Sequence, residues 1–389
     1  MSRTIVPRWL TSEAIRLVGF ALAVEAAMLA IGLVVHAAVM HPDALDVRFS
    51  RDLVSREIRA FHWADPSWYM GIASEGYEKI PYVEDRRVNW VFFPLWPLVL
   101  RGLDGLFSEM IVSGMVLSSL LFLVSVAWLH ALVRLDFPAD VARTAVIALI
   151  VFPAAYFCWR PGPEALFVAA VIGSLWCGRT GRWVPAGVLA ALATLTRPQG
   201  ILLLLPLAQL CLRQYRAERR VRPAALALGL PVAALGAFLL YMRRITGNAL
   251  ASFAIQGPTG WDNGLSFPLA GIVGFLREPR LIGHYGWDLT VVSFVFAMAA
   301  IGLSAFLWFD RRFPREYLVY AVPTVYLIVS RDNLSGTLRY LLPVFPLFVA
   351  LAVLVRQRPT LTHLVLCGFA ALQAFYFVFF VQRYSWPST

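Results

Sequence analysis

Lysine is almost missing from this 389-residue chain: Lys79 is its single instance, and every other basic residue is arginine. Charge of either sign is scarce, at 15% of residues against about 25% in an ordinary globular domain. With 59% hydrophobic residues and a mean hydropathy of +0.69, that scarcity excludes a soluble globular enzyme. The four cysteines, Cys158, Cys177, Cys211 and Cys367, lie in or beside apolar runs without a CxxC spacing. Neither a zinc site nor a disulfide frame is indicated, and they read as small apolar fillers. There is no Asp-x-Asp, and His62 and His284 lack ligand spacing. No metal and no cofactor are therefore expected.

What the chain does have is a series of apolar runs near the roughly 20 residues needed to cross a hydrocarbon core. The class that follows is all-α: a polytopic transmembrane helical bundle of about eleven spans, forming one domain over residues 1–389. The net charge of +11 is spread between the apolar runs, not gathered on one soluble face, which argues against a nucleic-acid partner. The lipids of the membrane are the expected surroundings.

The first run, Ala14 to Met40, is too long for a signal-peptide core and reads as a retained span with its N-terminus in the cytoplasm. Glu25 near its middle is a functional group or the partner of a neighbouring helix. Residues 41–98 form a first exterior loop, in which Val47, Val54, Ile58 and Phe61 share one face of an amphipathic helix, interfacial or capping the bundle. Further spans are expected near 112–133, 141–158, 164–178, 184–196, 200–213, 223–243, 289–309, 317–330, 338–355 and 361–382. Residues 92–107 suggest a short re-entrant or juxtamembrane helix, and 246–289, with Trp261, Asp262, Asn263 and Trp287, a second large exterior loop folded over an outer cavity, either to position the acceptor or as a structural cover.

Arginine placement orients this arrangement. Arg134, Arg179, Arg182, Arg213, Arg216, Arg219, Arg220, Arg222, Arg311, Arg312, Arg315, Arg356 and Arg358 fall in alternate connections, which the positive-inside rule assigns to the cytoplasm. Asp65, Glu75, Arg160, Glu164, Arg197, Asp332 and Arg339 then share the opposite face. The expectation is an inner-membrane protein whose site opens to the periplasm or an equivalent exterior compartment.

Within the first loop, Trp63, Asp65, Trp68, Tyr69, Ile72, Ala73, Gly76 and Tyr77 are followed by Phe92, Phe93, Pro94, Leu95, Trp96 and Pro97. Later come Pro163-Glu164-Ala165-Leu166-Phe167, then Leu195-Thr196-Arg197-Pro198-Gln199-Gly200, then Arg339-Tyr340-Leu341-Leu342-Pro343. This series resembles the PIG-V family of integral-membrane mannosyltransferases. The resemblance implies a GT-C glycosyltransferase with an exterior active site and a polyprenyl-phosphate-linked sugar donor, with mannose as the sugar. The acceptor, a glycolipid, a glycan or a protein, is left open.

Inverting transfer from such a donor needs a base for the acceptor hydroxyl and cationic groups for the departing phosphate. Asp65, at the place of the family's first-loop aspartate, is the candidate base; followed by Pro66 and ended by Gly76, it also fits a helix N-cap. Arg197 and Arg339, with Tyr340, are the candidates for the phosphate, against snorkelling or an intramembrane salt bridge. The break at Arg197-Pro198 favours a cavity beside it. Glu164 suits either a helix N-terminus or a substrate, and Trp68, Tyr69, Arg160 and Glu75 complete the substrate-binding candidates, the aromatics doubling as interface anchors. Arg86 and Arg87 read as a solvated loop, and the candidate base is expected across the cavity from the two arginines. The rival class is a lipid or solute transporter or flippase with a polar exterior cavity, against which stands the lack of an internal repeat; a noncatalytic scaffold would make the polar cluster accidental.

Overall fold

A computed structural model describes residues 10–40, 65–84, 86–106, 109–220, 222–257, 259–261, 264–282 and 289–385. The amphipathic helix expected around Val47 to Phe61 lies outside the described residues. Among those described, the only β pairing is two isolated bridges, Leu265 with Arg331 and Ile282 with Leu289, and the rest is helix and connections.

The helices run α1 (Ser12–Met40), α2 (Asp65–Glu75), α3 (Leu95–Gly102), α4 (Met110–Val133), α5 (Ala139–Ile150), α6 (Glu164–Arg179), α7 (Trp183–Thr196), α8 (Leu204–Glu218) and α9 (Leu230–Thr246). Then come α10 (Ala251–Ala254), α11 (Ala270–Arg277), α12 (Thr290–Phe309), α13 (Arg315–Val329), α14 (Thr337–Leu341), α15 (Phe345–Val355) and α16 (Pro359–Ser385). Each of the eleven expected apolar segments contains a helix, and α3 stands where the short juxtamembrane helix was expected.

Four of the eleven segments are broken: residues 141–158 leave α5 after Ile150 for a turn at Pro153 and a 3-10 turn, Ala155–Cys158, and residues 223–243 begin as a 3-10 turn, Pro223–Gly229, before α9. Residues 200–213 begin as a 3-10 turn, Pro198–Leu203, before α8, and residues 338–355 divide into α14 and α15 around Pro343. Proline removes an amide donor and clashes with the preceding turn, so these breaks follow from the sequence. Among the described residues, five helical stretches are long and apolar enough to cross a membrane: Ser12–Val35, Met110–Val133, Pro223–Thr246, Thr290–Phe309 and Pro359–Val381. They leave large apolar side chains such as Leu240, Phe309 and Leu364 exposed, the surface a hydrocarbon solvent would cover.

The shorter helix α6 is apolar all round and buried along almost its whole length, as such a helix must be. It packs between α4 and α7. Close approach depends on small residues, a common device between membrane helices: a Cβ on Gly173 would collide with the Trp128 ring of α4, and Ser174 Oγ donates to the Ala186 carbonyl of α7 at 2.8 Å. Glu25 on α1 accepts a hydrogen bond from Ser119 of α4, which is the neighbouring-helix pairing among its two readings.

With 16 residues, α6 is about 24 Å long and joins two polar ends of the bundle. At its C-terminal end Arg179 lies 2.6 Å from Asp136 and 2.8 Å from Glu316, and Glu316 also meets Arg213 at 3.0 Å. Glu164 begins the other end, where the remaining candidates gather.

Candidate functional site

Helix α2 brings the first group. Asp65 lies in its first turn with Pro66 next, and Gly76, at φ +89°, stops it with its N–H donated to the Ile72 carbonyl. Only glycine adopts that left-handed backbone without strain, so the end is written in the sequence. Arg101 of α3 donates to the Ala73 and Ser74 carbonyls and so caps the same end.

The irregular stretch after α2 is held by side chains in place of a ladder. Asn89 accepts from the Glu78 N–H and donates to the Gly76 carbonyl, Trp90 Nε1 donates to the Glu78 carbonyl, and Tyr77 Oη donates to the Phe92 carbonyl at 2.6 Å. Trp96 Nε1 reaches the Pro161 carbonyl and ties this loop to the segment before α6.

Glu164 opens α6 beneath that tie and is only 5% exposed. Its Oε1 lies 2.5 Å from Arg197 Nη2 and 2.5 Å from Arg339 Nε. Arg339 Nη2 in turn lies 2.5 Å from Asp65 Oδ2. The result is a continuous chain, Arg197, Glu164, Arg339, Asp65, drawn from four elements. Arg197 caps α7 in extended backbone before the Pro198 turn, and that turn lies against α7 so closely that a Cβ on Gly200 would enter the Ala193–Thr194 backbone. Arg339 comes from α14.

Burial alone would push the Asp65 carboxyl up. The Arg339 guanidinium at its side, with Arg197 and Arg160 behind it, outweighs that effect and holds the carboxyl below its ordinary value.

Two cavities meet at these arginines. A polar chamber of about 340 Å³ is lined by Asp65, Trp68, Tyr69, Arg87, Arg160, Trp261, Arg331 and Ser335, among others. An apolar groove of about 250 Å³ runs between Phe167, Leu202, Leu235, Leu327, Ile328 and Leu342. Arg197, Gln199, Gln256, Arg331, Arg339 and Tyr340 line both. Tyr340 presents its ring to Arg331 at 4.3 Å and to Arg197 at 5.4 Å, and Arg160 stacks on Phe380 at 4.0 Å, so the aromatic rings fix the guanidiniums that crowd this wall.

Of the residues singled out in the sequence, Asp65, Trp68, Tyr69, Arg160, Arg197, Arg339 and Tyr340 line the chamber together. Three expectations need correction. Asp65 does not face the two arginines across the cavity; it touches Arg339. Glu164 lines the groove and holds two guanidiniums, so its carboxylate is engaged by the protein. Glu75 is exposed and lines neither cavity, because ten residues of α2 carry it about 15 Å from Asp65. Arg87 is exposed in its loop, as expected, and in addition lines the chamber with its guanidinium 5.5 Å over the Trp261 ring.

Phe92, Gln199, Gln256 and Arg331 also belong to the lining and were given no site role from sequence, and Trp261, named there only as part of the second large loop, joins them. Trp261 and Gln256 reach the chamber from residues 246–289. The loop is fastened there by backbone hydrogen bonds from Ser266 N–H to the Ser330 carbonyl and from Asp332 N–H to the Gly264 carbonyl. Among the described residues no group of three or more His, Cys, Asp or Glu converges as a metal site.

No protein-family profile matches this sequence, and no curated protein matches it. Among solved structures, ArnT from Cupriavidus metallidurans, determined with bound undecaprenyl phosphate, aligns over 86% of this chain and 60% of its own, at 17% identity and a TM-score of 0.50. Over that alignment the chain shares the fold of ArnT. The Archaeoglobus fulgidus oligosaccharyltransferase aligns over 92% of this chain and 53% of its own, at 14% identity and a TM-score of 0.46. This chain thus spans between half and two thirds of the length of those proteins.

Proposed function

We propose that the protein is a membrane glycosyltransferase that takes a sugar, mannose by the PIG-V resemblance, from a polyprenyl-phosphate donor and passes it to an acceptor at the exterior face of the inner membrane. One observation carries this: Arg197 and Arg339 stand where a polar chamber meets an apolar groove, with a carboxylate, Asp65, 2.5 Å from Arg339 on the chamber side. A donor with an isoprenoid tail, one phosphate and a sugar has its three parts in that same order. The tail occupies the groove, the phosphate bridges the two guanidiniums, and the sugar enters the chamber. The fold likeness to ArnT, a structure that holds undecaprenyl phosphate, supports the same assignment of the groove.

In the reaction the acceptor oxygen attacks the anomeric carbon from the face opposite the phosphate and gives its proton to Asp65. The bond from the anomeric carbon to the phosphate oxygen breaks, and its electron pair leaves with the polyprenyl phosphate, so the configuration inverts. The two arginines stabilise the charge that develops on the leaving group. Asp65, held ionised by Arg339, is always ready to accept a proton. Because the phosphate competes with Asp65 for the same guanidinium, donor binding loosens the carboxylate and makes it a stronger base at the moment it is needed. No metal enters this scheme, since the guanidiniums supply the positive charge.

The test is incubation of the purified full chain with radiolabelled polyprenyl-phosphate-mannose and a membrane extract. Label is expected to move to an acceptor in the wild type and to stay on the donor in Asp65→Asn. Undiminished transfer by Asp65→Asn would remove the assigned base, and no transfer from any lipid-linked sugar would favour a transporter.

A further inference from the structure

Arg197, Gln199, Gln256, Arg331, Arg339 and Tyr340 line both the chamber and the groove. The three guanidiniums can only donate hydrogen bonds. The two amides bring acceptors into this wall of donors, and the reaction described above gives them no task. Gln256 follows the single turn α10, where Ser252 is fully buried, and its Nε2 donates to the Ser252 carbonyl at 3.0 Å. That bond fixes which way round the amide lies, so the end left for a ligand is the acceptor, Oε1. The backbone beneath it is closely held: the Trp261 N–H donates to the Ile255 carbonyl at 3.1 Å, and a Cβ on Gly264 would come within 3.3 Å of the Gln256 carbonyl. Gln199, in the Pro198–Leu203 turn, has its Oε1 buried without a hydrogen-bond partner among the described residues. Buried acceptors are ordinarily satisfied, and one left open beside a ligand wall marks a place where the ligand brings the hydrogen.

We infer that Gln256 is a specificity-determining residue for the donor sugar: its amide oxygen accepts a hydrogen bond from the hydroxyl on C2, beside the anomeric carbon. The inference rests on the proposed function and adds to it the residue that reads which sugar is carried. The donor's phosphate is a diester with no hydrogen to give, so an amide oxygen in the same wall finds no partner there and opposes its charge. A sugar hydroxyl meets both demands, donating to Gln256 and accepting from a neighbouring guanidinium. Of the hydroxyls on the ring, the one on C2 stands closest to the phosphate-bearing carbon, and a residue that faces both cavities stands at that same end of the sugar. Direction then matters as much as presence. A C2 hydroxyl pointing the other way leaves the amide oxygen unpaired in an enclosed wall, and a polar group left without its partner discriminates more strongly than a small change in apolar shape. The open oxygen of Gln199 in the same wall fits the same class of ligand, one that brings hydroxyl hydrogens.

The experiment supplies the purified full chain and a membrane extract with labelled polyprenyl-phosphate-mannose or with polyprenyl-phosphate-glucose, its C2 epimer. The wild type is expected to separate the two donors by about thirtyfold or more in kcat/KM, the scale of one enclosed hydrogen bond left unmade. Gln256→Met, which keeps the length of the side chain and removes the amide, should narrow the separation to within about threefold, since no acceptor is then left unpaired. A merely structural role would lower both donors alike and leave the separation where it was. A wild type that transfers both sugars equally, or a Gln256→Met variant that keeps the wild-type separation, overturns the inference. Should Gln256→Met fail to fold, Gln256→Ala is read by the same ratio and the same criterion. Failure of the proposed function looks different: no label leaves either donor, even in the wild type.

Discussion

At one end of α6, Glu164 joins Arg197 to Arg339; at the other, Glu316 joins Arg179 to Arg213. Both carboxylates are buried, both serve two guanidiniums, and both tie together elements distant in sequence. Their surroundings differ. The Glu164 group forms the wall between chamber and groove, whereas neither cavity is lined by any member of the Glu316 group. The same chemistry thus serves as a brace at one end and as a poised site at the other, and what separates them is access. An ion pair read from sequence tells little until the space beside it is known.

The contrast is sharpened by removing one carboxylate at each end. Asp65→Asn should cost transfer by about 10³-fold or more, the scale of lost base catalysis, with the thermal midpoint nearly unchanged. Glu316→Gln should do the reverse: the side chain is fully buried between two arginines, and breaking a buried pair costs about 3–5 kcal/mol, read as a lower midpoint with kcat largely retained in the folded fraction. A Glu316→Gln variant that is stable and inactive would erase the distinction.

Smaller effects grade the site itself. Arg197→Lys keeps the charge and loses the fork, and should raise the donor KM about tenfold with a smaller change in kcat. The pH profile gives a finer reading. Arg339 holds the Asp65 carboxyl below its ordinary range, so its ionised form persists as pH falls through about 4, the usual carboxylate value, and is lost only further down. The acid limb of transfer measured with both substrates well below their KM, which reports the free protein, should lie below that value and move upward in the residual activity of Arg339→Gln. The smallest expected effect is none at all: transfer measured in EDTA should match transfer without it, because the carboxylates that would bind a metal are engaged by arginines.

Much of this architecture was legible because it is local. Apolar runs, prolines and glycines mark where helices start and stop, which is why α2 ends at Gly76 and α7 breaks before Pro198. The placement of Asp65, Trp68 and Tyr69 on one face follows from helical spacing alone. The misplaced residues are those whose role depends on distant partners. Asp65 and Arg339 are 274 residues apart, and no periodicity predicts their contact. Arg87 looks like any loop arginine until Trp261, carried in by another loop, gives it a ring to stack on. Glu75 misled for the opposite reason: nearness in sequence suggested a shared site, but the length of the intervening helix carries it away.

The single oxygen of Glu164 that answers to both Arg197 and Arg339 has an evolutionary corollary. Neither arginine can drift alone, since loss of one leaves the carboxylate to redraw the other, and loss of Glu164 sets both adrift at once. Substitutions at the three positions should therefore be strongly epistatic, with double changes milder than the sum of their parts. Lineages would be expected to exchange the trio as a unit or not at all.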